Sequence, residues 1–270
     1  MAFTVKKVDG ELVFKDHGGY ETRNPSTIWC IREADAVYGW PDFPEIKICT
    51  GDQERSADEF TYSKKNSYRR LVPDFNFHAW PQVGIDDYAT FTEQIGAAGC
   101  CVPEINKVGW IGNTNTHVNR KKLLNIAQEN PELFDIFDMR WKRSGRIFLD
   151  STQYIHTADL VKKYSILIDI EGAGYSGRLK HLLWSRRPLL LVDRPHKEFF
   201  FEHLVEWKHY IPVKRDLSDI IEKTRWCMEN YENAKEIASC AYEFSKGHLT
   251  RDACFEQWDN IINELMHARI

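Results

Sequence analysis

No stretch of the chain approaches the roughly 18 consecutive apolar residues that cross a bilayer, so no transmembrane helix is read. Nor is there a long basic block. Lysines and arginines number 36 against 40 acidic residues, a net charge of −4, and the electrostatic footprint of a general nucleic-acid binder is missing. The seven cysteines show no C-x-x-C spacing, which leaves neither a zinc site nor a redox motif. Their odd number fits reduced, buried thiols better than a disulfide framework. The opening MAFTVKKVDGELVF lacks the apolar core of a secretory leader and the closing MHARI is no retention signal, so a cytoplasmic setting is expected.

What is present is enough apolar residue, 43% of 270, for one large domain or two modest ones. The chain is organised around Tyr164 to Arg194, YSILIDIEGAGYSGRLKHLLWSRRPLLLVDR. Ser165 to Ile170 reads as a buried strand, and Leu189 to Val192, after Pro188, as a second. Between them Leu179, Leu182 and Leu183 fall at helical spacing. The loop Gly172, Ala173, Gly174, Tyr175, Ser176, Gly177 opens that helix, so the unit is strand, glycine loop, helix and parallel strand. Such a helix start turns unpaired N–H groups on an anion, commonly a nucleotide diphosphate. Arg178, in the first turn, opposes the helix dipole unless an anion sits beside it, and it is read as a phosphate ligand.

Three readings of that loop stay open. G-x-G-x-x-G with Asp193 about twenty residues on matches the dinucleotide fingerprint and would suit an NAD-dependent oxidoreductase. The glycines could also serve packing alone. The third reading comes from wording around the loop: EGAGYSGRLKHLLWS, followed by HKEFFFEHLVEWKHYIPVKRDLSDIIE, resembles glycosyltransferase family 90. That family includes protein O-glucosyltransferases, O-xylosyltransferases and capsule-associated xylosyltransferases. The resemblance is dense from Tyr164 to Phe244 and patchier before it.

The resemblance implies an α/β chain of GT-B type, with two Rossmann-like domains facing a central cleft. They would span residues 1–145 and 146–270, the last helix crossing back to the first domain. It implies an inverting transfer from a nucleotide sugar, UDP-xylose ahead of UDP-glucose, to a glycan hydroxyl, with no metal or other cofactor. A non-catalytic nucleotide-sugar-binding module is the remaining alternative. The family places its catalytic aspartate at a strand end, and Asp52, after EIKIC and Thr50-Gly51, is the matching position. On residue type alone Asp52 would as readily cap a helix or shape a turn. Relatives carry an arginine in the segment occupied here by KVGWIG; the matching residue is Ile111, which cannot bind phosphate. Asn113, Thr114 and Asn115 are expected to hydrogen-bond the donor instead, with Arg120 reaching in. Glu198 is the candidate ribose ligand. Asp169 and Glu171, two apart on a strand, share a face and form the nearest thing to a cation site. Oligomeric state is not legible.

Elsewhere GELVFKD, STIWCIRE, EIKIC and KVGWIG read as strands. YATFTEQIG reads as a helix capped by Asp86 or Asp87, and a second helix begins near Val118. Phe75, Phe77, Trp80 and Tyr88 lie in an irregular loop that is either core or a wall for a sugar. Residues 134–146 read as a helix or loop joining the halves, and 151–164 as a helix. The segment from Asp216 starts another helix, with Ser218 or Asp216 as its cap.

Overall fold

The computed structural model describes residues 2–139 and 155–267. The first sheet opens with a hairpin, β1 (Ala2–Val8) and β2 (Glu11–Asp16). Asp9 and Gly10 join them with φ of 52° and 80°. Such a left-handed pair matches the twist of the flanking strands, and Asp-Gly adopts it readily. Asp42 holds the turn by accepting from both backbone N–H groups, at 2.8 and 3.0 Å. β3 (Phe43–Cys49) runs antiparallel to the other side of β1, and β4 (Phe60–Thr61) parallel to β3. The order is β2-β1-β3-β4. The expected Rossmann-like first half is therefore corrected to a mixed sheet: a two-residue connection can only join antiparallel strands.

A second correction concerns STIWCIRE, which lies in α1 (Arg23–Tyr38), not in a strand. Its buried residues are Asn24, Ser26, Thr27, Cys30, Ile31 and Ala34. Three of these are polar and invisible to a hydropathy pattern, yet all are satisfied, Ser26 Oγ lying 3.0 Å from His78 Nδ1. Thr27 Oγ1 donates to the Arg23 carbonyl at 2.7 Å, and Asn24 donates to Asp16 and accepts from Thr50, each at 2.7 Å.

The second sheet is wholly parallel. Two-residue β5 (Lys64–Lys65) precedes it and pairs with β10 (His196–Lys197) as a separate ribbon. The sheet comprises β6 (Ile105–Gly112), β7 (Phe134–Asp138), β8 (Tyr164–Asp169), β9 (Leu189–Val192) and β11 (Ile211–Val213), in the order β11-β9-β8-β6-β7. Strands thus enter the second sheet from Ile105 onward, not after the expected division at 145. The segment read as a joining helix or loop begins instead as β7, and residues 140–146 lie outside the described residues.

This is a doubly wound sheet whose direction of growth reverses between β6 and β8. Its strands read as continuous apolar runs because both faces are covered. Ile166, Ile168, Leu190 and Val192 pack in one core with α3 (Val118–Glu129) and α6 (Ile220–Glu229). Leu167, Leu189 and Leu191 pack in the other with α2 (Tyr88–Gly99), α4 (Thr157–Lys163) and α5 (Leu179–Leu183). That second core is continuous with Phe3, Val5 and Ile48 of the first sheet. Asp87 caps α2 as expected, accepting from the Thr90 N–H at 2.8 Å. Neither Ser218 nor Asp216 caps α6; Asp219 stands at that position, while Asp216 accepts from the Ser218 N–H in the preceding turn.

After α7 (Tyr231–His248), α8 (Arg251–His267) returns to the first half and packs on α1. Asp259 accepts from the Trp40 indole at 2.9 Å, and Arg251 donates to the Phe77 and His78 carbonyls at 3.1 Å. No helix among the described residues is long and apolar enough to cross a membrane.

Candidate functional site

Ligands of open α/β sheets collect beyond the carboxyl ends of the strands, where the winding reverses. Here β6 and β8 end side by side, at Gly112 and Asp169. A cavity of about 630 Å³ opens there, closed on its far side by residues of the first half. Trp110, Asn113, Gly172 and Arg178 come from the parallel sheet and its loops, Arg23, Asp52, Phe75 and Trp80 from the other wall.

The parallel-sheet wall is cationic. Arg178 donates to the Ile111 carbonyl across the end of β6. Arg120, in the first turn of α3, donates to the carbonyls of Glu171 (2.9 Å), Ile170 (3.0 Å) and Asn113 (3.3 Å), and lies over the Trp110 ring at 5.2 Å. Burial, then repulsion from Arg178, pushes the Arg120 guanidinium down to about 10. Two guanidinium groups held by carbonyls, neither in direct ion-pair contact with a carboxylate among the described residues, suit a bound anion such as a diphosphate. Ile111 itself is core, 2% exposed, so the position lacking the family arginine supplies a carbonyl that orients Arg178.

The glycine loop is placed differently from the expected phosphate cradle. α5 has only five residues, too short for a substantial dipole, and Arg178 precedes it. Gly174 faces the protein: a Cβ there would lie 1.8 Å from the Asp52 carbonyl oxygen. Gln53 donates to the Ala173 carbonyl, and the Ser176 hydroxyl to Asp169 at 2.7 Å. The loop therefore locks onto the strand end that carries Asp52. Gly172, Ala173, Tyr175, Ser176 and Gly177 line the cavity beside Arg178, whereas Gly174 does not.

Asp52 follows β3 as expected and lines the opposite wall, with its side chain 36% exposed. Its Oδ1 is ion-paired with Arg23 Nη1 at 2.9 Å. Arg23 went unnoticed in the sequence because its segment reads as turn and strand. His181 was missed as well: it lines the cavity, 2% exposed, and its Nε2 has no hydrogen-bond partner among the described residues. Burial, with Lys180 and Arg178 nearby, holds it well below the usual histidine range, so it is a neutral imidazole. Of the loop aromatics, Phe75 and Trp80 line the cavity, with rings 5.2 Å apart, while Phe77 and Tyr88 are core.

Other expected ligands fall outside the cavity. Asn113 lines it, but Thr114 turns its hydroxyl to Asp138 at 2.8 Å, and exposed Asn115 is not part of the lining; Thr116 is. Asp193, the would-be ribose acid of a dinucleotide enzyme, is exposed and paired with Lys197. Asp169 and Glu171 are occupied by Arg194 (2.6 Å) and Arg215 (3.1 Å).

Glu198 is not at the cavity either. It is 2% exposed and stands 3.6 Å from Lys180, whose charge is already met by Asp74 at 2.8 Å. Burial pushes the Glu198 carboxyl up to about 8. The folded chain therefore holds this proton where the unfolded chain, near its ordinary 4.5, has lost it. The stabilisation is complete below the unfolded value and is lost as pH rises through 8. Glu198→Gln is expected to leave the melting temperature nearly unchanged at pH 4 and to flatten its decline between about pH 5 and 8, measured by thermal denaturation of both proteins.

Comparison with known proteins follows this geometry. Human protein O-glucosyltransferase 1 is 27% identical over 248 residues, 87% of this chain and 62% of that protein. Human protein O-glucosyltransferase 3 is 33% identical over 148 residues, 48% of this chain and 27% of that protein. The chain thus spans less than two thirds of the length of these relatives. Among solved structures, TarM aligns with a TM-score of 0.41 at 13% identity, covering 61% of this chain and 36% of that one. The family model described as Glycosyl transferase family 90 matches residues 33–268, most of the sequence. The chain belongs to glycosyl transferase family 90.

Proposed function

We propose that the protein is a sugar transferase that uses a UDP-sugar donor, with Asp52 as general base. The observation that carries this reading is the cavity itself, which sets Arg120 and Arg178, neither ion-paired among the described residues, on one wall and the Asp52 carboxylate on the other. The arginines would bind the donor diphosphate and stabilise the charge that develops on the departing UDP, an effect strongest where water is excluded. Asp52 would take the proton from an acceptor hydroxyl as its oxygen attacks the anomeric carbon. A single displacement of this kind inverts the centre, needs no covalent intermediate and is proposed to run without metal. In the GT-B arrangement expected for the family, donor and acceptor meet between two walls, and the position of Asp52 across the cavity from Arg120 and Arg178 supports that reading. The sugar is xylose or glucose: capsule-type members of the family suggest the first, the relatives named glucosyltransferases the second. The acceptor is a glycan hydroxyl, and the setting proposed is cytoplasmic.

The dinucleotide reading is weakened by where its residues lie. Gly174 approaches the chain's own backbone rather than open space, and Asp193 points to Lys197 outside the cavity. Calorimetric titration with UDP and then NAD, each with and without a chelator, separates the readings. UDP is expected to bind with or without chelator, and NAD to give no heat. Binding of NAD with no response to UDP would overturn the proposal.

A further inference from the structure

The Asp52 carboxylate does not stand alone on its wall, and its partner comes from a part of the chain that the family match does not reach. The match begins at residue 33, ten positions beyond Arg23. Arg23 is the first residue of α1, a helix of 16 residues with no acidic side chain in its first turn and no side-chain cap. A cation at that end is disfavoured by the helix dipole and is out of place unless a negative group offsets it. The group present is Asp52, whose Oδ1 lies 2.9 Å from Arg23 Nη1.

The guanidinium is itself fixed from three sides. Its Nη1 donates to the Thr50 carbonyl at 3.0 Å, the Tyr20 ring lies 4.3 Å from its central carbon, and the Phe75 ring 5.2 Å. Its side chain is 13% exposed against 36% for Asp52. A rigid, largely buried donor thus grips one oxygen of a more open carboxylate on the wall of the cavity. Planar guanidinium fixes a carboxylate in direction as well as in place, which an ammonium does less well.

Resting on the transferase reading above, we propose that Arg23 is the positioning residue of the base: it holds Asp52 through Oδ1 and leaves Oδ2 to receive the acceptor proton. During the step the acceptor O–H bond breaks and its proton passes to Oδ2. The oxygen's electron pair forms the new bond to the anomeric carbon, and the bond to UDP breaks with its electrons leaving on the diphosphate. Arg23 keeps its hydrogen bond throughout and exchanges no proton.

The test compares Arg23→Gln, Arg23→Lys, Asp52→Asn and the double variant Arg23→Gln/Asp52→Asn, measuring kcat, KM for the UDP-sugar, and UDP affinity by calorimetry. Arg23→Gln is expected to lower kcat by about 10²-fold, the cost of a base displaced by an ångström, with donor KM and UDP affinity unchanged. Arg23→Lys should recover part of the loss. In the Asp52→Asn background the same change should cost nothing further, because residues acting as a unit are not additive. Full activity in Arg23→Gln, additive losses in the double variant, or a loss of UDP affinity matching the loss of kcat would each overturn the proposal. Should Arg23→Gln fail to fold, an Arg23→Lys variant that folds and keeps wild-type kcat would overturn it too. Sugar transfer by the wild type, lowered roughly 10²–10⁴-fold in Asp52→Asn, shows that any such failure belongs to Arg23 alone. A wild type that binds UDP but transfers no sugar would sink the underlying reading and this inference with it.

Discussion

Asp52→Asn is expected to lower kcat for sugar transfer by roughly 10²–10⁴-fold, the usual contribution of a positioned general base, while the protein folds and binds UDP as before. The substitution keeps the shape of the side chain and removes its charge. Asp52 is partly exposed, and the asparagine keeps an oxygen that can accept from Arg23, whose guanidinium also retains its bond to the Thr50 carbonyl. Its distance in function from the arginines gives the second half of the expectation. Arg120 and Arg178 are held by carbonyls of Glu171, Ile170, Asn113 and Ile111, none of which depends on the Asp52 carboxyl. UDP affinity should therefore stay within about twofold, a change well below the tenfold that 1.4 kcal/mol represents. Loss of UDP binding with loss of turnover would make Asp52 a donor ligand; unchanged turnover would remove it from the chemistry.

How much of this was legible in the sequence depended on whether a residue's role is local. The strand, loop, helix and strand from Tyr164 to Val192 showed because their apolar runs, glycines and Pro188 are consecutive signals, and the structure has β8, α5 and β9 there. The strand end that bears Asp52 showed in EIKIC, whereas the candidacy of Asp52 itself came from the family resemblance. The purpose of the glycines did not, because Gly174 is constrained by the Asp52 backbone more than a hundred residues away, a closeness only the fold creates. α1 was misread because its inward face begins with Asn24 and Thr27, and the partners that make them acceptable inside, Asp16, Thr50 and Tyr62, are remote or on other elements. Glu198 was misplaced for a related reason. An acidic residue near a proposed nucleotide site invites a ligand role, whereas its environment is set by Lys180 and Asp74, from two other segments.

Lys180→Met is expected to destabilise the fold by about 3–5 kcal/mol, the cost of removing one partner from a buried ion pair. Lys180 is wholly buried, with its ammonium 2.8 Å from Asp74, 3.1 Å from the Gly177 carbonyl and 3.6 Å from Glu198. Of the two acids, Glu198 holds its proton up to about 8, so the ammonium mainly balances Asp74. Asp74 is 3% exposed and would keep its hydrogen bonds from the Asn76 backbone and side chain, at 3.1 and 2.9 Å. Those bonds satisfy the carboxylate oxygens only in part and leave its charge without a partner in the core, which is where the penalty arises. At roughly 2–4 °C per kcal/mol for a chain of this size, the melting temperature should fall by about 6–20 °C. Methionine preserves most of the volume of the lysine stem, so lost packing adds little. Adding Asp74→Asn to Lys180→Met should recover much of the loss, since the stranded charge is then gone; the coupling between the two changes measures the pair itself. Asp74 belongs to the loop that carries Phe75, and Lys180 stands two residues after Arg178, so the pair ties together the elements bearing the aromatic and cationic walls of the cavity. A double variant that melts no higher than Lys180→Met would show that the cost lies in packing around α5 and not in the unpaired carboxylate.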